Sequence, residues 1–302
     1  MSGPITTKID KEKCVGCGIC VSVCPAAALA VVDGKATVTG ELSLHCDHCA
    51  AACPSGAISV NWVDPDALSL ATVEGRDTWL KYGDFDTAAL VQLMRSRRSC
   101  RSFAADAIAR DALEDLVKIG TTAPSGTNSQ LWTFTIVSGR TAVEKLVVEV
   151  GGFFRKLNAL AKNKVARLYS KVFMKDKLGL YYRDYYETVQ EAVDDWKNNG
   201  RDRLFHGAPA LIVIGMKPGA SCPCEDALLA TQNIILAAHA MGLGTCLIGF
   251  AVEAMKRVPS IKQMIGIPAR ERVYAVIAVG VPKEKYKRLT GRKKVTPRYF
   301  EG

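Results

Sequence analysis

The sequence predicts an α+β domain, with a mixed sheet flanked by helices, preceded by a small cysteine-rich module. Seven of its eleven cysteines lie between Cys14 and Cys53. Three later runs are short and rich in β-branched residues, and a long segment rich in Ala and Leu separates two of them. A chain of 302 residues is long enough for both parts. We therefore expect the module over 1–62, a linker over 63–85 and the large domain over 86–302.

Composition and charge exclude several classes of protein. The chain is 48% hydrophobic and 23% charged, as in ordinary globular proteins. No apolar run approaches the roughly 18 residues of a membrane-spanning helix, and the N-terminus has no apolar signal core. We expect a cytoplasmic protein with no membrane partner. The net charge of +10 invites a nucleic-acid interpretation, but cluster thiolates and a phosphate ligand would lower it to about +5.

Cysteines in the module recur at the spacing of metal ligands. The first run ends in Cys-Pro and supplies Cys14, Cys17, Cys20 and Cys24. After 29 residues a second run repeats the spacing with Cys46, Cys49 and Cys53, but Ser43 stands where a fourth cysteine is due. Thiolates spaced in this way wrap three corners of an iron–sulfur cubane while the fourth ligand arrives from elsewhere. A reducing compartment leaves such thiols free for metal rather than for disulfides.

This pattern resembles the bacterial two-cluster ferredoxins, in which the last cysteine of each run crosses to the other cluster. The resemblance implies one 4Fe–4S cluster on Cys14, Cys17, Cys20 and Cys53. It implies a second cluster on Cys24, Cys46, Cys49 and the residue at position 43. A structural zinc site is the alternative, but zinc sites rarely use this run, and none requires the repeat. A segment this short has little apolar core, so we expect the clusters to stabilise its fold.

The serine leaves four outcomes open for the second cluster. Ser43 can ligate iron through its oxygen, the cluster can lose one iron and become 3Fe–4S, His45 can supply an imidazole, or another cysteine can reach the site. We favour a 4Fe–4S cluster with Ser43 or another non-cysteine ligand, and then a 3Fe–4S cluster. An oxygen ligand donates charge differently from sulfur, so we expect a shifted potential for this cluster.

The large domain shows alternating helix and strand signals. The segment "TAALVQLMRSRR" has helical periodicity, and Asp106 is the predicted N-cap of a second helix. The runs 132–137, 210–215 and 273–280 are predicted buried strands. Between the last two lies a predicted central helix that ends at Gly242 or Gly244. Residues 150–205 form a predicted helical insertion rich in Lys and Tyr.

Four motifs of this domain suit a bound flavin phosphate. They are "RRSCRSF" (97–103), "APSGTNSQLWTF" (123–134), "GLGTCLIGF" (242–250) and "GVPKEKYKRLTGRKK" (280–294). A phosphate needs guanidinium or ammonium donors, and an isoalloxazine ring needs backbone amides near N5 and positive charge near N1. Alone, the first motif is equally well a solvated basic turn. The order of all four carries the interpretation.

Together these motifs resemble the flavin-dependent nitroreductase family, from about residue 90 to 295. The resemblance implies an intertwined homodimer with FMN at each subunit interface. The residues it assigns to the phosphate, ribityl chain and pyrimidine edge are Arg97, Arg98, Ser99 and Arg101. Those it assigns to a stretch from the partner subunit are Pro124, Ser125, Gly126 and Asn128. Those along the ring are Cys246, Leu247, Ile248 and Gly249, and those completing the phosphate site are Arg292 and Lys294.

Other chemically notable residues have weaker patterns. Cys100 lies inside the basic motif, where its thiol pKa would be lowered, although an apolar contact suits it better. Cys222 and Cys224 are separated by one residue and make a poor metal chelate unaided. Spacings of three and four place Tyr182 on one helical face with Tyr185 or Tyr186. The insertion is therefore either a cover over the flavin or a helix pair that clads the dimer.

The combined interpretation is an FMN-dependent oxidoreductase. Electrons would enter at one cluster, pass to the other and reach FMN, and a nitroaromatic or quinone-like acceptor would receive them. No side chain stands out as an obligatory catalytic acid or base. No dinucleotide fingerprint is present, so the donor is either NAD(P)H or an external redox protein such as reduced ferredoxin. The rival is a non-enzymatic electron carrier or redox sensor that serves a partner protein. Nucleic-acid binding would rest on the basic tail alone.

Overall fold

The computed structural model describes residues 3–76 and 78–302. Its N-terminal module, up to Val60, consists of very short elements joined by loops. In chain order they are β1 (Gly3–Pro4), β2 (Thr7–Ile9), α1 (Ile19–Ser22), β3 (Leu29–Val32), β4 (Lys35–Val38), β5 (Leu42–Ser43), α2 (His48–Ala51) and β6 (Ile58–Val60). The strands form three antiparallel pairs, β1–β5, β2–β6 and β3–β4.

The internal repeat of the sequence appears as two similar halves. Each half contains a four-residue helix, and the helix follows a residue with positive φ, Gly18 or Asp47. Gly16 also has a positive φ of 72°, and a Cβ there would lie 2.1 Å from the carbonyl oxygen of Gly34. Only glycine therefore fits this position of the first cysteine run. The module has a small core that includes Cys14, Cys20 and Leu29.

The linker forms no helix or strand in its described part, and it is attached to the large domain by hydrogen bonds. The buried carboxylate of Asp115 accepts bonds from the backbone amides of Ala71 and Thr72 and from the Thr72 hydroxyl. Burial raises the pKa of Asp115, but these bonds outweigh it and hold the pKa below its ordinary value. Lys118 Nζ donates to the carbonyl of Ser69. The linker therefore runs along the surface of the domain that follows it.

The large domain is built from helices around one sheet. Its elements are α3 (Thr87–Ser96), α4 (Arg110–Gly120), β7 (Trp132–Ser138), α5 (Arg140–Lys162), α6 (Lys164–Phe173), α7 (Lys177–Asp184), α8 (Tyr186–Asn199), β8 (Ala210–Met216), α9 (Pro223–Ala240), β9 (Gly244–Leu247), α10 (Gly249–Arg257), α11 (Pro259–Met264) and β10 (Arg272–Gly280).

The strand order is β7-β8-β10-β9, and these neighbours pair antiparallel. A parallel bridge from Ser99 to Thr245 adds the 97–103 segment to the edge strand β9 and makes the pairing mixed. Every residue of β8 is buried, as expected for a central strand covered on both faces. The three predicted strands are confirmed, each longer by one residue.

Two hydrophobic layers cover the sheet. On one face Ile212 and Ile214 pack with Leu113 of α4 and Ile234 of α9. On the other, Leu211 and Val213 belong to a core that includes residues of α5, α10 and α11. Alternate residues of β8 thus point to opposite layers, as the period of a strand requires. Within the described residues, no helix is both long and apolar enough to cross a membrane.

Two sequence predictions need correction. Asp106 is not the N-cap of the second helix, because α4 begins later and Ala109 is its N-cap. The insertion does not begin as a separate unit at residue 150. The helix α5 runs continuously from Arg140, and Val143, Leu146 and Val147 in its first half belong to the core, so only the later part of α5 leads into the insertion.

Candidate functional site

The cysteines of the module gather into two groups that combine both runs. The amide of Ala36 lies 3.3 Å from Cys14 Sγ and lowers the pKa of that thiol, while the nearby charge of Cys53 opposes its ionisation. Burial raises the pKa of Cys20, whose charged neighbours include Cys14 and Cys17. Cys53 thus adjoins the first run, as the ferredoxin resemblance implies.

The second group has the reciprocal composition. Burial raises the pKa of Cys49, and the nearby charges of Asp47 and Cys24 raise it further. Cys24, Cys46, Cys49 and Ser43 line one shallow cavity, with about 410 Å³ of space when the open solvent at its mouth is included. Within the described part of the chain, Asp47 Oδ1 in its wall is buried and has no hydrogen-bond partner. The cavity therefore brings together all the residues predicted for the second cluster.

Backbone amides point at three of the cysteine sulfurs. In addition to the bond to Cys14, the amide of Ala57 lies 3.2 Å from Cys53 Sγ, and that of Ala28 lies 3.5 Å from Cys24 Sγ. Amide donors of this kind stabilise negative charge on thiolates and tune cluster potentials. Across residues 3–76 and 78–302, no three His, Cys, Asp or Glu side chains gather tightly enough for a single metal ion. An iron–sulfur cubane is larger than one ion and holds its thiolates further apart.

Ser43 and His45 differ in how many of their polar atoms already make hydrogen bonds to other residues. Ser43 Oγ accepts a bond from the amide of His45 at 3.0 Å and still faces the cavity. His45 is buried, its Nε2 lies 2.8 Å from the carbonyl oxygen of Pro4, and its ring stacks on Trp62 at 5.1 Å. Since that contact requires Nε2 to donate, only Nδ1 of His45 remains as a possible iron ligand.

The large domain contacts the loop of the second group. Asn128 Nδ2 donates to the carbonyl oxygens of Leu44 and His45, at 3.1 and 3.0 Å. These two residues separate Ser43 from Cys46. The resemblance assigns Asn128 to the FMN of the partner subunit, and within its own chain the Asn128 amide holds the loop of the predicted second cluster site.

A group of cations lies where the sequence predicts a phosphate site. Burial lowers the pKa of Arg97, and the charges of Arg98 and Arg292 lower it further, so the three guanidinium groups are neighbours. None of them takes part in an ion pair within the described ranges. Arg97 and Arg98 are half-buried and Arg292 is exposed, and arginines without an ion-pair partner fit a phosphate, which would supply the missing negative charge. Lys294 is exposed two residues beyond Arg292.

The segment Cys246–Gly249 connects β9 to α10. Ile248 is buried, and its amide donates to the carbonyl of Val276 at 2.8 Å, so that amide is not available to a ligand. Leu247 is 50% exposed and faces a large cleft, and Gly249 begins α10. Arg101 lies at the same cleft, and its charge acts on Cys246. The amides of Leu247 and Gly249 therefore remain as candidates for contacting a ring.

This cleft is wide and mainly apolar, with about 2570 Å³ of open space, its mouth included. One side is the Cys246–Gly249 segment with Phe250, and the other comes from α5 and the insertion. The insertion side includes Phe153, Phe154, Leu157, Tyr181 and Tyr185. The insertion thus faces the predicted flavin segment.

The tyrosines divide between two surfaces. The Tyr182 ring lies 4.9 Å from that of Tyr186 in a tilted arrangement and faces Arg167. Tyr181 stacks with Tyr185, which contacts Phe250 edge-on. Of the two predicted pairs, the structure contains Tyr182 with Tyr186. Tyr185 lies at the junction of α7 and α8 and points to the other face.

The 124–128 stretch lies elsewhere in the chain. The amide of Gly126 donates to Asp226 Oδ1 at 2.8 Å, and Cys222 packs beside Gly126, so the stretch is fixed at the start of α9. Arg98 instead lines a cleft with His239 and Gly242 at the end of α9. Within one chain, the structure does not join this stretch to the arginines.

Three further cysteines, Cys100, Cys222 and Cys224, lie outside the iron–sulfur module. Cys100 is 3% exposed, and burial together with a hydrogen bond to Glu284 raises its pKa to about 12. The prediction of a lowered pKa is therefore wrong. Cys100 lies in the hydrophobic core, as the apolar alternative predicts, but its thiol also donates to the Glu284 carboxylate. Cys222 and Cys224 are exposed thiols at the start of α9.

Comparison with known proteins identifies both parts. Residues 94–281 match the Nitroreductase family. The chain belongs to the nitroreductase family. Residues 7–30 match the 4Fe-4S binding domain, so this member is an oxidoreductase with a ferredoxin-like iron–sulfur domain at its N-terminus.

Individual relatives of this nitroreductase-family chain are distant. It is similar to an iodotyrosine deiodinase of Thermotoga neapolitana, with 25% identity over 66% of this chain and 93% of the relative. It is also similar to a 4-nitrobenzoate reductase of Nocardioides sp., with 24% identity over 62% of this chain and 78% of the relative. A nitroreductase with bound FMN from Desulfitobacterium hafniense shares its fold, with a TM-score of 0.51 at 23% identity, covering 70% of this chain and 97% of that one.

Several residues at the nitroreductase-like site carried no signal in the sequence. His206 lines the cleft in a left-handed backbone conformation, with φ of 58°. It follows a turn in which the buried Asp202 accepts bonds from the amides of Leu204 and Phe205. Phe250 is the last residue of the 242–250 motif, and the sequence predicts no role for it. Their roles depend on contacts between distant segments, which no local pattern reports.

Proposed function

We propose that this chain is an FMN-dependent oxidoreductase that takes electrons through its iron–sulfur module and delivers them to a small organic acceptor. The proposal is carried by the unpaired Arg97, Arg98 and Arg292, which fit the phosphate of a flavin nucleotide. FMN in the matched fold neighbour supports the same assignment. When bound, FMN supplies the exchange between one-electron and two-electron chemistry, and the iron–sulfur clusters supply one-electron transfer.

The chain's own residues would divide the remaining work. Arg97, Arg98 and Arg292 hold the phosphate, with Ser99 beside them on the edge of β9. Arg101 places positive charge beside the ring segment, and the amides of Leu247 and Gly249 offer donors there. The aromatic wall of the cleft orients a flat acceptor and excludes water from it. Nitroaromatic and quinone-like compounds have this shape, and 4-nitrobenzoate is the named substrate of one relative.

We propose two clusters, the first on Cys14, Cys17, Cys20 and Cys53. The second would use Cys24, Cys46, Cys49 and Ser43, because Ser43 faces the cavity while His45 Nε2 is occupied.

We also propose a homodimer. Large apolar side chains lie exposed on α3 and α9, namely Leu90, Val91, Met94, Leu228 and Leu229, and a patch of this kind commonly marks an interface.

Anaerobic purification with cofactor analysis tests this proposal. We expect about one FMN and about eight irons per chain, or about seven if the second cluster lacks one iron. Replacing Arg97 with Gln should lower FMN occupancy while iron stays constant. The matched control is Arg110→Gln, which removes an exposed arginine paired with Glu114 on the outside of α4. Wild-type protein without flavin would contradict the proposal.

Turnover separates an enzyme from an electron carrier. We expect the reduced holoprotein to be reoxidised by 4-nitrobenzoate or a small quinone over many cycles without any other protein. Reoxidation that requires an added redox protein would instead favour the carrier. Comparing NADH, NADPH and reduced ferredoxin as reductants identifies the donor.

A further inference from the structure

The loop 124–130 is fixed to the start of α9 on one side and to the iron–sulfur module on the other. The carboxylate of Asp226, which is 2% exposed, accepts from the amide of Gly126 and from Ser129 Oγ. Asn128, two residues after Gly126, holds the carbonyls of Leu44 and His45. The second cluster site therefore lies near the first turn of α9.

The phosphate site lies near the other end of the same helix. Ser99 bridges to Thr245, and Cys100 packs against Gly244, just beyond the last turn of α9. Because α9 has 18 residues, its two ends are about 27 Å apart. Within one chain, the second cluster site and the arginines are thus separated by roughly the length of the helix.

Exposed apolar residues indicate where a second copy of the chain can pack and bring its arginines close to the second cluster site. Leu228 and Leu229 lie less than one turn after Asp226 and are 47% and 44% exposed. On α3, Val91 and Met94 are 44% and 45% exposed, and the chain continues from α3 directly into Arg97 and Arg98. If α3 of a second copy packs on the start of α9, its arginines come beside the loop 124–130.

We infer that the iron–sulfur module of one protomer delivers electrons to the flavin site whose phosphate end belongs to the other protomer. The inference rests on the proposed homodimer and on FMN as the cofactor. It explains why Asn128, which the sequence places in a flavin motif, is bonded to the loop of the second cluster. One surface of the loop 124–130 then borders the module of its own chain, and the other borders FMN held by the partner.

The transfer is balanced for a one-electron donor. Two molecules of reduced ferredoxin each lose one electron, and full reduction of one FMN takes up these two electrons with two protons from solvent. The proposed function supplies the onward acceptor. No further oxidant or reductant is required.

Paired heterodimers test the arrangement. Two differently tagged chains are co-expressed and purified through both tags. In the first heterodimer one chain carries Cys49→Ala and the other Arg97→Glu. In the second heterodimer one chain carries both substitutions and the other is wild type. Each heterodimer then holds one FMN and one complete second cluster, and only their distribution between the chains differs.

Bleaching of the flavin absorbance is followed anaerobically in a stopped-flow instrument after mixing with reduced ferredoxin. Delivery across the dimer predicts that the first heterodimer bleaches roughly tenfold or more faster than the second. FMN and iron contents are measured on the same samples and should be equal. The control is the first heterodimer with Arg110→Glu in place of Arg97→Glu. It should hold two FMN molecules, and the FMN bound by the Cys49→Ala chain should bleach rapidly.

The remaining outcomes overturn the inference in distinguishable ways. Faster bleaching in the second heterodimer, or equal rates, means delivery within one chain and leaves the proposed function intact. A monomer by light scattering removes the inference together with the proposed homodimer, and it leaves the proposed electron transfer to FMN intact. Loaded heterodimers that are not bleached by reduced ferredoxin at all, or wild-type protein without FMN, remove the proposed function together with the inference.

Discussion

The two halves of the iron–sulfur module repeat one cysteine spacing but are stabilised in different ways. In the first half Cys14 and Cys20 are buried, and Leu29 joins them in the module's own core. In the second half no residue of α2 is buried, and Ser43 replaces a thiolate. Its loop is held instead by Asn128 from the large domain and by the stack of His45 on Trp62.

This contrast indicates that the first half stabilises the module itself, whereas the second half is supported by contacts with the large domain. A small module without much core depends on its clusters for stability, and the buried first run meets that need. The second run is free to differ because contacts from outside the module support it. Substitutions in the two halves should therefore have separable effects.

The largest effect is expected from Cys20→Ala. Cys20 is 5% exposed in the module's core, so losing this ligand should unfold the module and release nearly all of its iron, about eight atoms. Cys49→Ala in the open half should release only about four. Iron and sulfide per chain, with limited proteolysis of the module, measure both. Cys222→Ala, an exposed thiol outside the module, is the control. Retention of the second cluster in Cys20→Ala would show that the halves do not differ in this respect.

The next effect concerns Ser43 itself. If its oxygen ligates iron, Ser43→Ala should lower the iron content by about one atom and convert the second cluster to the 3Fe–4S form. Ser43→Cys should keep all the iron and change the potential of that cluster alone. Electron paramagnetic resonance with iron analysis distinguishes the forms, and the exposed Ser59→Ala is the control. Unchanged spectra in both Ser43 variants would assign the fourth ligand elsewhere.

A smaller effect is expected from Asn128→Ala. The variant loses two hydrogen bonds to the backbone of the second half, which together contribute about 1–3 kcal/mol. The iron content should persist, while the resonance signal of the second cluster changes and that of the first does not. The control is Asn233→Ala, which removes a comparable amide bond, from Asn233 of α9 to the Thr122 hydroxyl, outside the iron–sulfur module. If the resonance signals of both clusters change, or if neither changes, the second half does not depend on the large domain more than the first half does.

The same contrast explains what the sequence could predict. The cysteine spacing and the β-branched runs are local patterns, so both cysteine runs and all three strands could be predicted from them, whereas the exchange of Cys24 and Cys53 between the runs was implied only by the resemblance to ferredoxins. The bond from Asn128 to Leu44 and His45 joins residues more than eighty positions apart. No periodicity in the sequence indicates such a long-range contact, and the motif that contains Asn128 suggested only an FMN contact. Asp106 failed as a cap because capping residues also occur in turns that precede a helix.

The smallest effect is expected from Trp62→Leu. The Trp62 ring lies 5.1 Å from the His45 ring at an interplanar angle of 15°, and stacking of this kind contributes about 0.5–1.5 kcal/mol beyond buried area. The variant should lower the unfolding free energy of the module by that amount and keep its iron. Chemical denaturation followed by cluster absorbance measures it, with Trp79→Leu, an exposed linker tryptophan, as the matched control. If Trp62→Leu instead loses iron as Ser43→Ala does, the ring is needed to close the second cluster site, and the second half depends on the module's own residues more than on Asn128.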